Sequence, residues 1–540
     1  MLLKVKSFFF ENKIIAISIF LFSFLITTSE ILIRDYYGIA QLPNVIVPFF
    51  YNLLLGVILL TASSSIVALI YVIFIVTIFA IQYSNIGYFG YWISPMDIWL
   101  LFEKMTEVVQ AGVSVISHSY VVLAMIFLVS SSTILMLVLR RILHNKYKSV
   151  SVIGLVVLLF YPVKMTIDKD VELGRLPKIS HSVVKTSIYT MGYFVGHTFP
   201  EEVLGLSSVP SVKRDEPIKL RDPISDNIIL LMGESLSSSF MSVYGFQKPT
   251  TPWLEQQKQQ GKGFFSEGFS GGLFTDVSVP YFFNMIEKPN ALQQISSGDT
   301  NIFRLAKEQG YETYFYSSQM SSGLALVSSL GTSWIDHYAD AESITGDRNK
   351  AVDDSQLITW LKEVNTGSKK FIVLNPSGSH EPYILRSPQE MKVFGQDSIQ
   401  NEYYNSVYYT DYLIRELQRE TSLFPGSWTF ILTSDHGQNI TGRTAGKGSF
   451  DFVSNYLVPI YIDSNSEEVM HLTRSRLGSC NISFQVQLSS LVAEFIGYEN
   501  EFTSCDQGFV SGKRRTGNSG YMQLTKETDG SGYNSKMIFH

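Results

Sequence analysis

The chain has 540 residues, a formal net charge of −6 and 46% apolar residues, a length that accommodates a membrane part and one large catalytic domain. A charge this small, and on the acidic side, excludes nucleic acid as a partner. The mean hydropathy of +0.13 conceals a gradient, because the apolar residues crowd the first third of the chain.

From Tyr36 to Met96 no Asp, Glu, Lys or Arg occurs, and one spanning helix needs only about 20 apolar residues. Five spans are predicted, at 14–33, 42–61, 66–83, 119–139 and 150–165. Ser63, Ser64 and Ser65 mark the turn between the second and third, and Pro162 and Lys164 make the fifth the shortest uncharged stretch. Lys4, Lys6 and Lys13 precede the first span, while Arg140, Arg141, Lys146 and Lys148 follow the fourth. With five spans both basic groups lie on one side, which the positive-inside rule makes the cytoplasm, so the remainder of the chain is expected outside it. Residues 1–29 also have the basic start and apolar core of a signal peptide. No small-x-small cleavage site follows and further spans come after, so a retained helix is expected. The expected layout is a transmembrane domain at 1–168, a connecting segment and linker at 169–226, and an extracytoplasmic catalytic domain at 227–540.

Between spans three and four, Gly90 to Gly112 falls on the catalytic side, and Trp92, Ile93, Trp99, Leu100, Leu101 and Phe102 fit a segment lying in the membrane interface. Glu103 and Glu107 are four residues apart and share one face of a helix. Two carboxylates at head-group depth could hold the ammonium of an ethanolamine head group; simple solvation at the interface is the plainer alternative.

From Lys213 to Asp226 the composition turns polar, with Pro217 and Pro223, and reads as a linker. Beyond it, apolar strands at 227–232, 312–316, 371–374, 429–433 and 458–462 alternate with helical stretches such as 302–309 and 405–419. Continuous apolar strands alternating with helices imply an α/β sandwich in mainly parallel order. In such sheets ligands gather where the strands end. The first strand runs into Gly233-Glu234-Ser235 and the strand at 429–433 into Ser434-Asp435-His436-Gly437. Two carboxylates and an imidazole suit a divalent cation of the zinc or manganese kind, although an acidic residue after a strand is more often a helix cap. Between them, Gly271-Gly272-Leu273-Phe274-Thr275-Asp276 is a glycine-rich turn leading to hydroxyl residues and an apolar helix. A hydroxyl beside a metal is activated as a nucleophile; a plain cap by Thr275 is the alternative. Cys480 and Cys505 are the two cysteines, and either a disulfide or two free thiols fits their spacing.

Taken in order, these segments resemble the alkaline phosphatase superfamily, and within it the membrane-bound phosphoethanolamine transferases of bacterial envelopes. The resemblance covers the five-span layout and most of the chain from Asn227 to about Tyr498. It rests on Gly233-Glu234-Ser235, Thr275-Asp276-Val277-Ser278-Val279-Pro280, Ser379-His380-Glu381-Pro382, Tyr409-Thr410-Asp411 and Ser434-Asp435-His436-Gly437. It implies an all-α transmembrane bundle followed by an alkaline phosphatase-like α/β sandwich. It also implies a catalytic zinc, with manganese or magnesium as alternatives, held by Glu234, Asp435, His436 and Thr275. Thr275 would be the nucleophile and pass through a phosphothreonine, and His380 would contact the phosphate or protonate a leaving oxygen. The implied partners are a phospholipid donor and a glycan or glycolipid acceptor such as lipid A, core or O-antigen. The implied setting is a monomer in the bacterial inner membrane that faces the periplasm.

The chain departs from the family pattern in places. The histidine usual about a dozen residues after His436 is absent, leaving Arg443 or Lys447 to supply a positive charge toward the substrate. Tyr316-Ser317-Ser318-Gln319-Met320 lacks an expected lysine, and Trp99 stands where an asparagine is expected. A phosphoglycerol transferase of the lipoteichoic-acid type shares the same motifs and is the nearest alternative. A sulfatase needs Cys/Ser-x-Pro-x-Arg, and Ser278-Val279-Pro280-Tyr281-Phe282 ends in phenylalanine instead. An inactive scaffold would have lost one of Glu234, Thr275, Asp435 or His436, and all four are present.

Overall fold

The computed structural model describes residues 2–103, 105, 119–142, 151–157, 160, 179–205, 209–324, 330–364, 367–499, 504–528 and 532–539. They form two compact units, one of residues 1–206 with 441–445 and the other of residues 207–440 with 446–540.

In the first unit the helices are α1 (Leu2–Tyr37), α2 (Ile46–Leu60), α3 (Ser65–Phe89), α4 (Pro95–Glu103), α5 (Tyr120–Ile142) and α6 (Val183–Tyr193). Lys13–Tyr37, Ser65–Phe89 and Tyr120–Arg141 are long and apolar enough to cross a membrane, while α2 is apolar but shorter. Of the fifth expected span, residues 151–157 and 160 are helical and the rest lies outside the described residues. The start of α3 is set by Ser64, whose hydroxyl accepts from the Val67 amide at 3.2 Å, the usual N-cap role of serine. Gly90 stops it in the left-handed region, at φ +80°. Phe20, Phe24, Ile66, Ile70, Ile73 and Phe127 face outward from these helices, an arrangement suited to lipid rather than water. Arg34 is fully buried near the end of α1 and donates to Glu30 and to the carbonyls of Ala40, Ile179 and His181. A guanidinium in an apolar bundle must be matched in this way, and the match ties residues 179–181 to α1.

The strands of the second unit are β1 (Ile218–Lys219), β2 (Asn227–Gly233), β3 (Phe264–Phe269), β4 (Glu312–Ser317), β5 (His337–Ala339), β6 (Lys370–Asn375), β7 (Trp428–Ser434), β8 (Leu457–Ser464), β9 (Ser483–Phe484), β10 (Tyr498–Glu499), β11 (Gln507–Ser511), β12 (Tyr521–Lys526) and β13 (Tyr533–Ile538). Eight of them form one sheet in the order β5-β4-β6-β2-β7-β8-β3-β9. The pairs from β5 through β7 are parallel, and β8 pairs antiparallel with both β7 and β3. Every residue of β2 is buried, because helices cover both sheet faces; this explains its unbroken apolar run where a one-sided strand would alternate. Ile228, Leu230 and Met232 join one core with Phe282, Phe303, Phe371 and Leu491, and burying each such side chain is worth roughly 1.5–3 kcal/mol.

The α/β architecture expected from the sequence is the one observed. Beyond it, β11, β12 and β13 form a separate antiparallel sheet. Cys480 and Cys505 are disulfide-bonded, with Cα atoms 5.8 Å apart, and the bond anchors the segment that leads into β11. Ser511, at the end of β11, exchanges backbone hydrogen bonds with Gly271 (3.0 Å) and Leu273 (3.1 Å). The small sheet thereby braces the glycine-rich turn.

Candidate metal centre

β2 and β7 are parallel neighbours, with Gly233 opposite Ser434. Strand register alone therefore brings Glu234 out beside Asp435 and His436. Ser235 follows with φ +56°, a conformation that costs a non-glycine residue energy and persists only when its surroundings impose it. Its amide donates to Asp435 Oδ1 at 2.9 Å, its hydroxyl donates to Glu234 Oε1 at 2.8 Å, and the Tyr403 hydroxyl donates to its carbonyl at 2.8 Å. The turn thus fixes both carboxylates.

His436 Nδ1 lies 2.8 Å from the carbonyl of Gly437. A carbonyl only accepts, so Nδ1 carries the proton and the Nε2 lone pair is directed at the carboxylates, the arrangement usual for a metal-ligating histidine. Burial first, and Lys447 second, push the imidazole down to about 3, which keeps it neutral and able to ligate. Burial pushes Asp435 upward, against Lys447, the Thr275 hydroxyl and two backbone amides. One ligand atom from each of Glu234, Asp435 and His436 falls within 4.8 Å of the others. Two buried carboxylates and a neutral imidazole, clustered this tightly, fit a divalent cation, which would relieve the cost of their desolvation.

Thr275 opens helix α7 (Thr275–Phe283), whose N-cap is Phe274 and whose first turn has no side-chain cap. The capping alternative for Thr275 is therefore ruled out. Its Oγ1 lies 2.7 Å from Asp435 Oδ2, 3.3 Å from His436 Nε2 and 3.4 Å from Glu234 Oε2. Lys447 Nζ approaches His436 Nε2 to 3.2 Å and Glu234 Oε1 to 3.8 Å. Of the two cations offered in place of the family histidine, Lys447 is the one that reaches the cluster. Arg443, the other candidate, lies in the first unit and donates to the Tyr36 carbonyl at 2.9 Å.

The loop after β6 carries His380. Ser379 N donates to the Glu234 carbonyl at 2.9 Å. A Cβ on Gly378 would fall 2.8 Å from that same oxygen, at φ +55°, so only glycine lets the two segments approach this closely. His380 Nδ1–H donates to the Glu381 carbonyl at 2.8 Å, which leaves Nε2 as the acceptor. Burial, then Lys447, push His380 down to about 3, so its ring is a neutral proton acceptor. Of the head-group candidates, Glu103 ends α4 and is exposed, while Glu107 lies outside the described residues.

Several site residues escaped the sequence reading. Gln319, in the segment noted for its missing lysine, donates to Glu234 Oε2 at 3.3 Å and to the Pro376 carbonyl at 2.9 Å. Buried Asp354 accepts from the Ser318 hydroxyl, from Ser377 N at 2.7 Å and from Gly378 N at 3.0 Å. Gln485 accepts from Gly271 N at 2.9 Å and donates to the Ser434 carbonyl, linking the Thr275 turn to the metal-ligand strand. Asp411, from the Tyr409-Thr410-Asp411 motif, accepts from Trp253 N at 2.8 Å and Leu254 N at 3.1 Å. It lies on helix α8 (Ile399–Thr421) and caps the helix Pro252–Gln259, so Asp411 braces the fold.

Residues 226–472 match the sulfatase family model. That stretch of the chain is similar to sulfatases. Its relatives include YhbX of Escherichia coli (strain K12), 29% identical over 243 residues that cover 43% of this chain and 41% of that protein. They also include the Kdo(2)-lipid A phosphoethanolamine 7''-transferase of the same strain, 25% identical over 239 residues and 40% of each chain. The chain thus spans about two fifths of the length of the curated relatives it matches. Among solved structures, the integral membrane lipooligosaccharide phosphoethanolamine transferase A of Neisseria meningitidis superposes with a TM-score of 0.55 at 15% identity. That superposition covers 91% of this chain and 96% of the neighbour, which extends the fold likeness beyond the residues that match the sulfatase model to the helical region.

Proposed function

We propose that this protein is a membrane-embedded transferase that moves phosphoethanolamine from phosphatidylethanolamine to an envelope glycan or glycolipid through a phosphothreonine at Thr275. The observation that carries the reading is the Thr275 hydroxyl, 2.7 Å from Asp435 within a three-ligand metal cluster. The named phosphoethanolamine transferases among the relatives support the choice of head group.

Glu234, Asp435, His436 and Thr275 would hold the metal, zinc as the family resemblance implies, with manganese or magnesium as alternatives that the same donors accept. When bound, the metal lowers the pKa of the hydroxyl it contacts and neutralises phosphoryl oxygens. In the first step Thr275 Oγ1 forms a bond to phosphorus while the bond from phosphorus to the diacylglycerol oxygen breaks, and that oxygen takes up a proton. In the second, an acceptor oxygen forms its bond to phosphorus, the bond to Thr275 Oγ1 breaks and the threonine regains its proton. His380 is assigned to contact the phosphate or to hand the proton given up by Thr275 to the leaving oxygen. Lys447, 3.2 Å from His436, places a fixed positive charge where the phosphate oxygens gather.

The basic residues flanking the spans favour an inner-membrane enzyme with its catalytic unit in the periplasm. Proximity to the bilayer raises the effective concentration of a lipid donor. Mass spectrometry of envelope lipids and glycans from cells with and without the protein tests the reading. A phosphoethanolamine increment that depends on the protein is expected; a phosphoglycerol increment, or none, rejects it.

A further inference from the structure

The loop that presents His380 also carries an acidic side chain for which the phosphoryl chemistry has no use. Glu381 follows His380 directly. Its carbonyl accepts from His380 Nδ1 at 2.8 Å and from Arg386 at 2.7 Å, while its carboxylate has no hydrogen-bond or ion-pair partner among the described residues. The loop is held firmly. Ser379 N donates to the Glu234 carbonyl at 2.9 Å, the Ser406 hydroxyl on α8 donates to the Ser379 hydroxyl at 2.9 Å, and Arg386 Nε donates to the His380 carbonyl at 2.6 Å.

Glu381 is half-buried, so a ligand can reach it. Protein nonetheless packs closely enough that burial pushes its carboxyl up to about 8, against the opposing pull of Lys447 and then Arg386. Neither cation matches it, because both are engaged elsewhere: Lys447 with His436 and Glu234, and Arg386 with the carbonyls of His380 and Glu381. Lys447 is the foremost charge acting on Glu381, and it acts likewise on Asp435 and His436. Glu381 therefore shares a neighbourhood with the metal ligands, with one fixed cation common to both. Burying a carboxyl without a matching charge is unfavourable, and the fold does so at its reaction centre.

A second acceptor is unmatched nearby. Gln438, two residues after His436, is 3% exposed. Its Nε2 donates to the Tyr383 hydroxyl, and its Oε1 has no donor among the described residues. Tyr383 lies two residues after Glu381, and Glu381 is the foremost charge acting on its hydroxyl. A carboxylate and an amide oxygen from two loops thus gather around Tyr383, while Lys447 offers the opposite charge at the cluster.

We infer that Glu381 is the specificity residue that pairs with the ammonium of a phosphoethanolamine head group, with Gln438 Oε1 as a second acceptor and Lys447 on the phosphate. Phosphoethanolamine is a short zwitterion, and Lys447 beside Glu381 presents the complementary pair of charges. An alkylammonium has three N–H donors to share between the two acceptors, and bonds between ionised partners are the strong ones. A glycerol head group brings no charge and leaves Glu381 unmatched. The assignment is independent of Glu103, which belongs to the first unit. As recognition of the lipid donor it rests on the proposed transferase function; as recognition of the head group it is decided by binding alone.

The test is calorimetric binding of phosphoethanolamine and of n-propyl phosphate, which has a methyl group in place of the ammonium, to the full-length, zinc-loaded protein in detergent. The wild type should bind phosphoethanolamine about tenfold or more tightly, the scale of hydrogen bonding to a charged group. Glu381→Gln should bring this ratio close to one while binding propyl phosphate at least as well, since a negative charge near the phosphate is removed. Glu381→Asp should keep part of the preference, and Gln438→Leu should lower it several-fold. A smaller folded fraction in a variant lowers the stoichiometry and leaves the ratio intact. The inference is overturned if the wild type binds both ligands equally, or if Glu381→Gln retains the wild-type ratio; an unchanged ratio in Gln438→Leu removes that residue from it. Absence of phosphoethanolamine transfer would reject the proposed function and leave the binding ratio to decide the role of Glu381.

Discussion

Replacing Asp354 by asparagine tests whether the metal centre depends on a carboxylate that never touches it. Asp354 Oδ1 accepts from the Ser318 hydroxyl and from Ser377 N, and Oδ2 accepts from Gly378 N. Burial pushes the acid upward while these donors hold it down, and a proton on Oδ2 would face the Gly378 N–H. An asparagine keeps one acceptor oxygen and places an NH2 group opposite that N–H. One charge-assisted hydrogen bond is lost and one buried donor is left without an acceptor, a combined cost of ~2–4 kcal/mol. The strain falls on the loop in which Ser379 N holds the Glu234 carbonyl and in which His380 follows directly. The expected outcome is a lower melting temperature together with zinc affinity reduced about tenfold or more, read by competition with a chelator. A variant that melts lower but binds zinc as tightly as the wild type would refute the proposed link between Asp354 and the ligands.

Glu312 accepts from buried Lys370 at 2.8 Å and lies 2.6 Å from His337 Nε2, and the Lys370 bond in particular holds its carboxyl at about 2 against an ordinary 4.5. A depressed carboxylate stabilises the fold above its unfolded pKa and loses that contribution as pH falls toward the folded value. Discounted for solvent screening, the loss is about 1–2 kcal/mol between pH 4.5 and 2. Glu312→Gln should flatten this part of the melting profile, and an unchanged acid slope would contradict the assignment. Reducing the Cys480–Cys505 bond should destabilise the catalytic unit by about 3 kcal/mol on the loop-entropy account; identical melting of the oxidised and reduced protein would show that the bond is dispensable. Glu103→Gln combined with Glu107→Gln should weaken use of phosphatidylethanolamine more than use of phosphatidylglycerol. Equal loss of both donors, or of neither, would remove these residues from head-group recognition.

The legible part of the structure was the part written in local pattern. The strands at 227–232 and 429–433 were readable because a short run of apolar residues bounded by polar ones fits a strand buried on both faces, and the structure extends the first to Gly233 and the second to Trp428 and Ser434. Glu234, Asp435 and His436 were readable because they follow those strands directly. Gln485, 51 residues from the Ser434 carbonyl it serves, and Asp354, 23 residues from Ser377, carry no local mark. Their partners are backbone groups that only the folded chain brings near. The β11–β13 sheet was missed because strands of five or six residues with half-exposed side chains lack a sustained apolar run. The Tyr409-Thr410-Asp411 motif shows the opposite limit: it was recognisable as a family feature, yet its cap on Pro252–Gln259 could be seen only in the structure.

The central claim is that Thr275 carries the phosphoryl group between donor and acceptor. It is tested most directly by peptide mass spectrometry of the full-length protein after incubation with phosphatidylethanolamine and zinc, in the absence of acceptor. The account predicts a phosphoethanolamine adduct on the peptide containing Thr275 that disappears when acceptor is added and does not form in Thr275→Ala. An adduct on another residue, or transfer that proceeds at the wild-type rate in Thr275→Ala, would contradict it.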